Sequence, residues 1–487
     1  MFKNHYIAIE NSLPPKDLQD FAETSWSGLR VLTGNPLAAI SVAGAAANIM
    51  LIGPAIDPFH PELTEQEIAQ MLADSCTNSR DLFEETQYLS GRFVLFYKTA
   101  SEFIVTGDAC HLRQIYVVWV DGKLVVTSSP KLFLEYFGLP LNMNAEKKAL
   151  SDSDLHRRLR FVWYGDSALD DRLQKVLPNH YLDVTAKTVI RLPHIDLGQK
   201  IEETEIISYA AKALTGTYDA LARRYKPIQP ITAGWDSRVL LAASRKVKDR
   251  IRYYVFVQSP KERQDIDVSK ALSEKLGLDY KIVQTEPLRE DFLSVLGGEQ
   301  ILPRVQPNTP EIQYHYDQHY DGDVVNVNGN AAEIARCFYG YTDGPVSLDM
   351  VLHFSGYGRK SPFITAEIAK WYKDAAPYAK KEGIPLLDLF YWEQRMGNWG
   401  GEHPSLQGIA IEEISPFNNR ALLRALLTAP PARRKAPDYG FFRDLVSYLW
   451  TETLSEPVNP GEKPLKKFLK GNARIRYLIL KLKSLRN

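Results

Sequence analysis

Pro230-Ile231-Thr232-Ala233-Gly234-Trp235-Asp236-Ser237-Arg238 is the stretch on which the reading of this chain turns. It follows the end of a short strand, at Pro230–Thr232, and precedes a segment from Val239 to Arg245 that begins a helix. Small residues here let backbone N–H groups approach an anion, and the N-terminus of the following helix adds a favourable dipole. Asp236 offers a carboxylate able to hold Mg2+ against phosphates, and Thr232 and Ser237 offer hydroxyls. The spacing and the lysine of a Walker loop are missing. The same residues also read as a plain strand-to-helix turn, with Gly234 at the bend and Asp236 or Ser237 as N-cap. The local pattern leaves both readings open.

Outward from this loop, helix and strand alternate from about Glu202. Ile206–Arg224 has the spacing of a long amphipathic helix and Val268–Leu276 of a shorter one. Arg252–Val257, Tyr280–Val283 and Val324–Asn328 read as strands, and the alternation implies a parallel α/β sheet. Beyond Thr365 the chain turns mostly helical. Before about Leu192 the rhythm is different, with short strands at Arg92–Tyr97, Phe103–Thr106, Ile115–Val120 and Lys123–Thr127, the last two joined by Asp121-Gly122. Thr64–Ala73 is helical in spacing, with Thr64 and Glu67 placed as a capping box. The uncharged run from Pro36 to Ile56 is long enough for a membrane span, but Asn48 interrupts it and Gly53-Pro54 breaks it. Two buried strands, Ala39–Ala43 and Asn48–Ile52, account for it better.

A length of 487 residues favours two domains, and 45% hydrophobic with 24% charged residues excludes disorder or a fibrous chain. Lys+Arg and Asp+Glu balance at 59 each, so no global field draws nucleic acid. Cys76, Cys110 and Cys337 are odd in number and show no CxxC spacing, which argues against disulfides and zinc fingers. The opening MFKNHYIAIENS lacks the pattern of a secretory signal, and a cytoplasmic setting is the expectation. Among the ten histidines there is no HExxH and no paired ligand spacing is expected.

Thr232-Ala233-Gly234-Trp235-Asp236-Ser237 resembles the Ser-Gly-Gly-x-Asp-Ser pyrophosphate loop of the ATP pyrophosphatase (PP-loop) superfamily, Gly234, Asp236 and Ser237 matching directly. Asn326–Glu333 is similar to the Ser-Gly-x-Gly-x-Asp-Glu loop of the asparagine synthetase family, keeping Glu333 and, one place out of register, Gly329, with Ala332 where the first acid belongs. Glu393–Met396 and Glu412–Asn419 resemble that family's Asp-Arg-Met and Glu-x-Arg-x-Pro-Phe-Leu-Asp segments, with Ile414 for the Arg. Leu89–Phe93, Thr106–Asp108 and Leu177–Leu182 resemble its glutaminase domain.

The resemblance implies an α/β chain: an Ntn-hydrolase-like layered, β-rich domain over residues 1–195, then an adenine-nucleotide α-hydrolase-like synthetase domain with a parallel sheet over 196–487. It implies ATP and Mg2+, with Thr232, Ala233, Gly234, Asp236, Ser237, Gly329 and, beside adenine, Val257 holding the nucleotide. Asp236 and Glu333 would hold the metal, with water and phosphate oxygens completing the shell or with Asp265 or Asp267 compensating for Ala332. Glu333 and a C-terminal lysine, Lys463 before Lys466, would serve acyl transfer from an adenylated carboxylate to an amine. Glutaminases of this kind use an N-terminal cysteine, where this chain has Phe2, so glutamine hydrolysis is expected to be absent. The expected partners are a small-molecule or peptide carboxylate and an amine or ammonia, the last taken up free or from a supplying protein. A non-catalytic nucleotide-binding or scaffold role is the alternative. The tail from Lys463 carries nine Lys and Arg and apolar residues at helical spacing; packing on the parent domain is preferred to membrane contact.

Overall fold

The uncharged run from Pro36 to Ile56 folds as a hairpin whose second strand is buried on both faces and whose first, at the sheet edge, is partly exposed. The computed structural model describes residues 2–193, 202–257, 263–299, 309–461 and 463–486. Ala39–Ala43 and Asn48–Ile52 form an antiparallel hairpin. In the second strand Ile49 and Leu51 point toward the helices Glu65–Ser75 and Ser79–Thr86, while Met50 and Ile52 point into a second sheet. Burial on both faces removes the polar half of the usual strand alternation, which is why this run reads as uniformly apolar. No described helix is long and apolar enough to cross a membrane.

Two six-stranded antiparallel sheets stack face to face. One runs Gln174–Lys175, Tyr116–Val120, Lys123–Thr127, Tyr6–Glu10, Leu29–Gly34, Phe21–Trp26; the other runs Thr188–Arg191, His180–Asp183, Phe103–Gly107, Val94–Lys98, Asn48–Ile52, Ala39–Ala43. Tyr6 and Ala8 fill the space between the sheets, and Ile7 and Ile9 pack outward on the helix Pro130–Phe137. The result is four layers, helix, sheet, sheet, helix. The expected capping box is present: the Thr64 side chain accepts from the Glu67 N–H, and the Glu67 carboxylate accepts from the Thr64 N–H.

The later part contains a five-stranded parallel sheet in the order Tyr280–Gln284, Arg252–Val257, Lys226–Pro230, Val324–Val327, Glu412–Ile414. The last strand lies in the region expected to be mostly helical; Glu412-Glu413-Ile414 pairs with Val325–Val327 because it is the one short extended stretch delivered to that edge. The order reverses between Lys226–Pro230 and Val324–Val327, so the loops after these two strands flank a crevice at the carboxyl edge, the position at which open α/β sheets bind ligands.

The boundary expected at 195/196 lies outside the described residues. The two sheet systems on either side of it share a polar seam made from segments that were singled out in sequence for other reasons. Glu412 accepts from Arg92 Nη1 at 2.9 Å and from Arg113 Nη2 at 2.9 Å, both arginines being about 1% exposed. Asn418 donates to the Gly91 carbonyl at 2.6 Å and to Asp108 at 2.7 Å. Buried Glu393 accepts from Trp371 Nε1 at 2.8 Å and from Arg191 and Asn179. The Ser-Gly-Arg, Thr-Gly-Asp and Pro-Phe-Asn-Asn segments therefore meet each other.

The C-terminal helix Ala473–Arg486 packs through Ala473, Tyr477 and Leu480, and Tyr477 and Lys481 hold Asp349 at 2.6 and 3.0 Å. The packing expected of its whole apolar stripe is incomplete: Leu478 and Leu482 are exposed, because the contact face follows Tyr477 and Leu480 and turns those two leucines outward.

Candidate functional site

Gly234 is the N-cap of the helix Trp235–Ala243, which starts four residues earlier than the apolar spacing implied. Asp236 and Ser237 consequently sit inside the first turn, not at the cap, and the strand before the loop ends at Pro230. The loop is braced from within. The Thr232 N–H donates to Ser237 Oγ at 2.8 Å, and the Gly234 N–H donates to Thr232 Oγ1 at 3.3 Å. The Ala233 N–H donates to Asp265 Oδ1 at 2.7 Å. Asp265 thus stands on a backbone donor that an anion would use.

Asp236 lies at the centre. Its Oδ2 accepts from Arg336 Nη2 at 2.5 Å, and Arg336 lies 3.8 Å from Glu333. Its Oδ1 is enclosed and has no hydrogen-bond partner. Burial raises the Asp236 carboxyl above the usual range, nearby Glu333 raises it further, and Arg336 opposes both. Arg336 enters from the short 3-10 helix Ala332–Arg336, whose N-cap Ala331 is in the left-handed region at φ 73°. Gly329 closes the other side. A Cβ there would lie 2.6 Å from the Asp236 Cβ, so the close approach of the two loops requires glycine. Gly329→Ala should therefore displace Asp236 and lower nucleotide affinity at least about tenfold, with the fold retained; calorimetry with an adenine nucleotide and a circular dichroism spectrum check it.

Beyond Asp236 opens a cavity of about 580 Å³. Ala233, Asp265, Glu333 and Arg336 line one side, and Lys466 and Lys470 another. Asn459 belongs to the same wall, and its N–H donates to the Ala233 carbonyl at 2.8 Å. The covering segment is pinned by Arg238, which is buried and donates to the carbonyls of Thr453 at 2.5 Å, Glu456 at 2.8 Å and Pro457 at 3.3 Å.

Ala233, Glu333 and Lys466 line the cavity, while Asp236, Thr232, Ser237 and Gly329 pack within the two loops beside it and are not among its lining residues. Lys463 does not line it and is exposed at the N-cap of the helix Pro464–Gly471; Lys466, one turn on, is also exposed but is among the lining residues. Of the two acids considered in place of Ala332, Asp265 reaches the loop, whereas Asp267 is exposed and 3.9 Å from Arg263. Val257 ends its strand and is half-buried, and the residues after it, 258–262, lie outside the described set. Cys337 borders the cavity, but burial pushes its thiol up to about 12, which leaves it inert. Arg336, Arg238 and Asn459 were not legible in the sequence. No motif marks them.

Asp236, Glu333 and Asp265 bring to this loop oxygen donors of the kind Mg2+ takes, and Asp236 Oδ1 has no hydrogen-bond partner, but among the described residues the three do not form a group with ligand atoms within 4.8 Å of one another. The three buried cysteines are free, and Phe2 is itself buried, its ring edge-on to His5 and its N–H donated to Glu299.

This chain is similar to an NH3-dependent NAD+ synthetase. The relative is from Thermococcus kodakarensis, and the likeness is 24% identity over 163 residues, 34% of this chain and 52% of the relative. The chain thus spans about half the length of the curated relative that it matches. No family model matches. Among solved structures, a glutamine phosphoribosylpyrophosphate amidotransferase from B. subtilis, complexed with ADP and GMP, aligns with 69% of this chain and 71% of its own at 10% identity and a TM-score of 0.24. A glutamine-dependent NAD+ synthetase from Acinetobacter baumannii, in complex with ADP, covers 40% and 44% at 10% identity and a TM-score of 0.21. TM-scores this low carry no argument about this chain.

Proposed function

We propose that the protein is an ATP-dependent amide-forming ligase of asparagine-synthetase type, which adenylates a carboxylate, releases pyrophosphate and passes the acyl group to an amine or to ammonia. The observation that carries this reading is Asp236, with one oxygen unpartnered and the other on Arg336, set where the two loops of the switch-point crevice meet and beside a cavity lined by Glu333, Arg336, Lys466 and Lys470. Mg2+ held by Asp236 and Glu333 would supply positive charge that offsets the clustered phosphates.

The remaining parts are the chain's own. A phosphate in the loop would compete with Asp265 for the Ala233 N–H, leaving the Asp265 carboxylate free as a further oxygen donor. Arg336, 2.5 Å from Asp236, would be a guanidinium donor for phosphate oxygens if Asp236 and Glu333 held a cation. Glu333, lining the cavity, orients the attacking amine, and Lys466 meets the charge that grows on the acyl oxygen. The proposal leaves out glutamine hydrolysis; in support, the three cysteines are buried and that burial raises each thiol.

ATP–pyrophosphate exchange with a panel of sugar acids, amino acids and peptides tests the proposal; an exchange-dead protein that still binds nucleotide would support the non-catalytic reading, which the Asp236–Arg336 pairing and Ala332 favour. The position of the lysines gives a sharper test. Lys466→Ala is expected to lower turnover on the order of a hundredfold while leaving the nucleotide dissociation constant within a few-fold. Lys463→Ala, changed outside the cavity lining, should stay near the parent rate. The reverse ranking in steady-state kinetics would return the role to Lys463.

A further inference from the structure

The expectation that no histidines are spaced as paired ligands fails at His315 and His319, which sit one turn apart on the helix Thr309–His319. Side chains at that spacing share a face, and their ring centroids are 4.4 Å apart. Glu286, from the segment after the strand Tyr280–Gln284, faces both: its Oε1 lies 2.5 Å from His319 Nε2 and 3.9 Å from His315 Nδ1. One ligand atom from each of the three residues falls within 4.8 Å of the others.

His315 is 6% exposed, and its Nδ1 has no hydrogen-bond partner. A buried ring nitrogen left in this state costs about 1–3 kcal/mol unless something satisfies it. Phe256, edge-on at 5.6 Å, and Tyr320 at 6.0 Å hold the ring so that this nitrogen stays turned toward Glu286. Four ligands at tetrahedral zinc distances are separated by about 3.3 Å, a value that the two observed gaps to Glu286 bracket.

We propose that His315 Nδ1, His319 Nε2 and a Glu286 carboxylate oxygen form a binding site for a borderline-soft divalent cation of the Zn2+ type, with water in the fourth position. Two imidazoles and one carboxylate suit Zn2+ and disfavour Mg2+ and Ca2+, which take oxygen ligands. The site is separate from the Asp236 cavity, none of whose lining residues it shares. An ion here clips the segment after the edge strand Tyr280–Gln284 to the helix Thr309–His319, two pieces of chain otherwise joined in this place by one exposed hydrogen bond from His319.

Tag-free full-length protein, stripped with EDTA and equilibrated with micromolar Zn2+, should retain one ion per chain by elemental analysis. Co2+ in its place should give the visible bands of a tetrahedral site. Glu286→Gln and His319→Gln, both at partly exposed positions, should weaken Zn2+ binding at least about tenfold, while Asp236→Asn leaves it unchanged. Zn2+ should also raise the melting temperature of the parent protein and not of the two variants, as mass action requires. Failure of the parent to retain Zn2+, or retention by both variants at parent affinity, would overturn the site.

Discussion

On the proposed reading, Asp236→Asn is expected to abolish pyrophosphate release, lowering turnover by a factor of about a thousand or more, while circular dichroism and the melting temperature stay close to the parent. The substitution keeps volume and shape, so the packing of Asp236 against Gly329 is preserved. What it deletes is the negative charge. In the parent that charge faces Arg336 at 2.5 Å and leaves one enclosed oxygen unpartnered. An amide offers one weak oxygen to a divalent cation and leaves Arg336 with Glu333 alone, 3.8 Å away. A cation and the phosphates would therefore lose their proposed anchor, and the effect should fall on binding of the metal–nucleotide as well as on rate. Retained turnover, measured as pyrophosphate release with any acid that supports exchange, would remove Asp236 from the metal role and leave only an N-terminal helix turn.

Glu412→Gln should destabilise the chain by about 3–5 kcal/mol, because it strips the carboxylate from two buried guanidiniums at once. Arg92 and Arg113 are each about 1% exposed and converge on Glu412 at 2.9 Å. Their other contacts are to carbonyls: Arg92 Nε to Leu112 at 3.0 Å, Arg113 Nε to Arg92 at 3.0 Å, and Arg113 Nη1 to Asn4 at 2.8 Å. Those bonds satisfy hydrogens but bring no charge, and Asp108 nearby is already shared with Asn418. Since Glu412 lies on the parallel sheet and the arginines on the antiparallel layers, the loss should appear as earlier separation of the two parts. Urea unfolding followed through tryptophans of both, with limited proteolysis between them, measures it. A change below about 1 kcal/mol would mean that the pair breaks even against its own desolvation, the outcome known for many buried ion pairs.

The sequence by itself determined the elements and their rhythm. The hairpin at 39–52, the capping box at Thr64, the long helix ending at Arg224 and the strand Arg252–Val257 follow from apolar spacing and turn residues, which act over a few positions and survive any tertiary arrangement. The place of the phosphate-type loop was legible for the same reason: strand, small residues and helix are contiguous. Only the tertiary structure decided what meets that loop. Arg336 reaches Asp236 from 100 residues away, and Glu412 reaches Arg92 from 320, because the order of the parallel sheet brings together edges that no local period encodes. The choice between Lys463 and Lys466 is of this kind, since both are exposed and only the folded arrangement sets Lys466 on the cavity rim. So is the cluster at Glu286: the i, i+4 spacing of His315 and His319 could be counted in the sequence, but the carboxylate between them comes from the far end of a strand, and only packing brings it there.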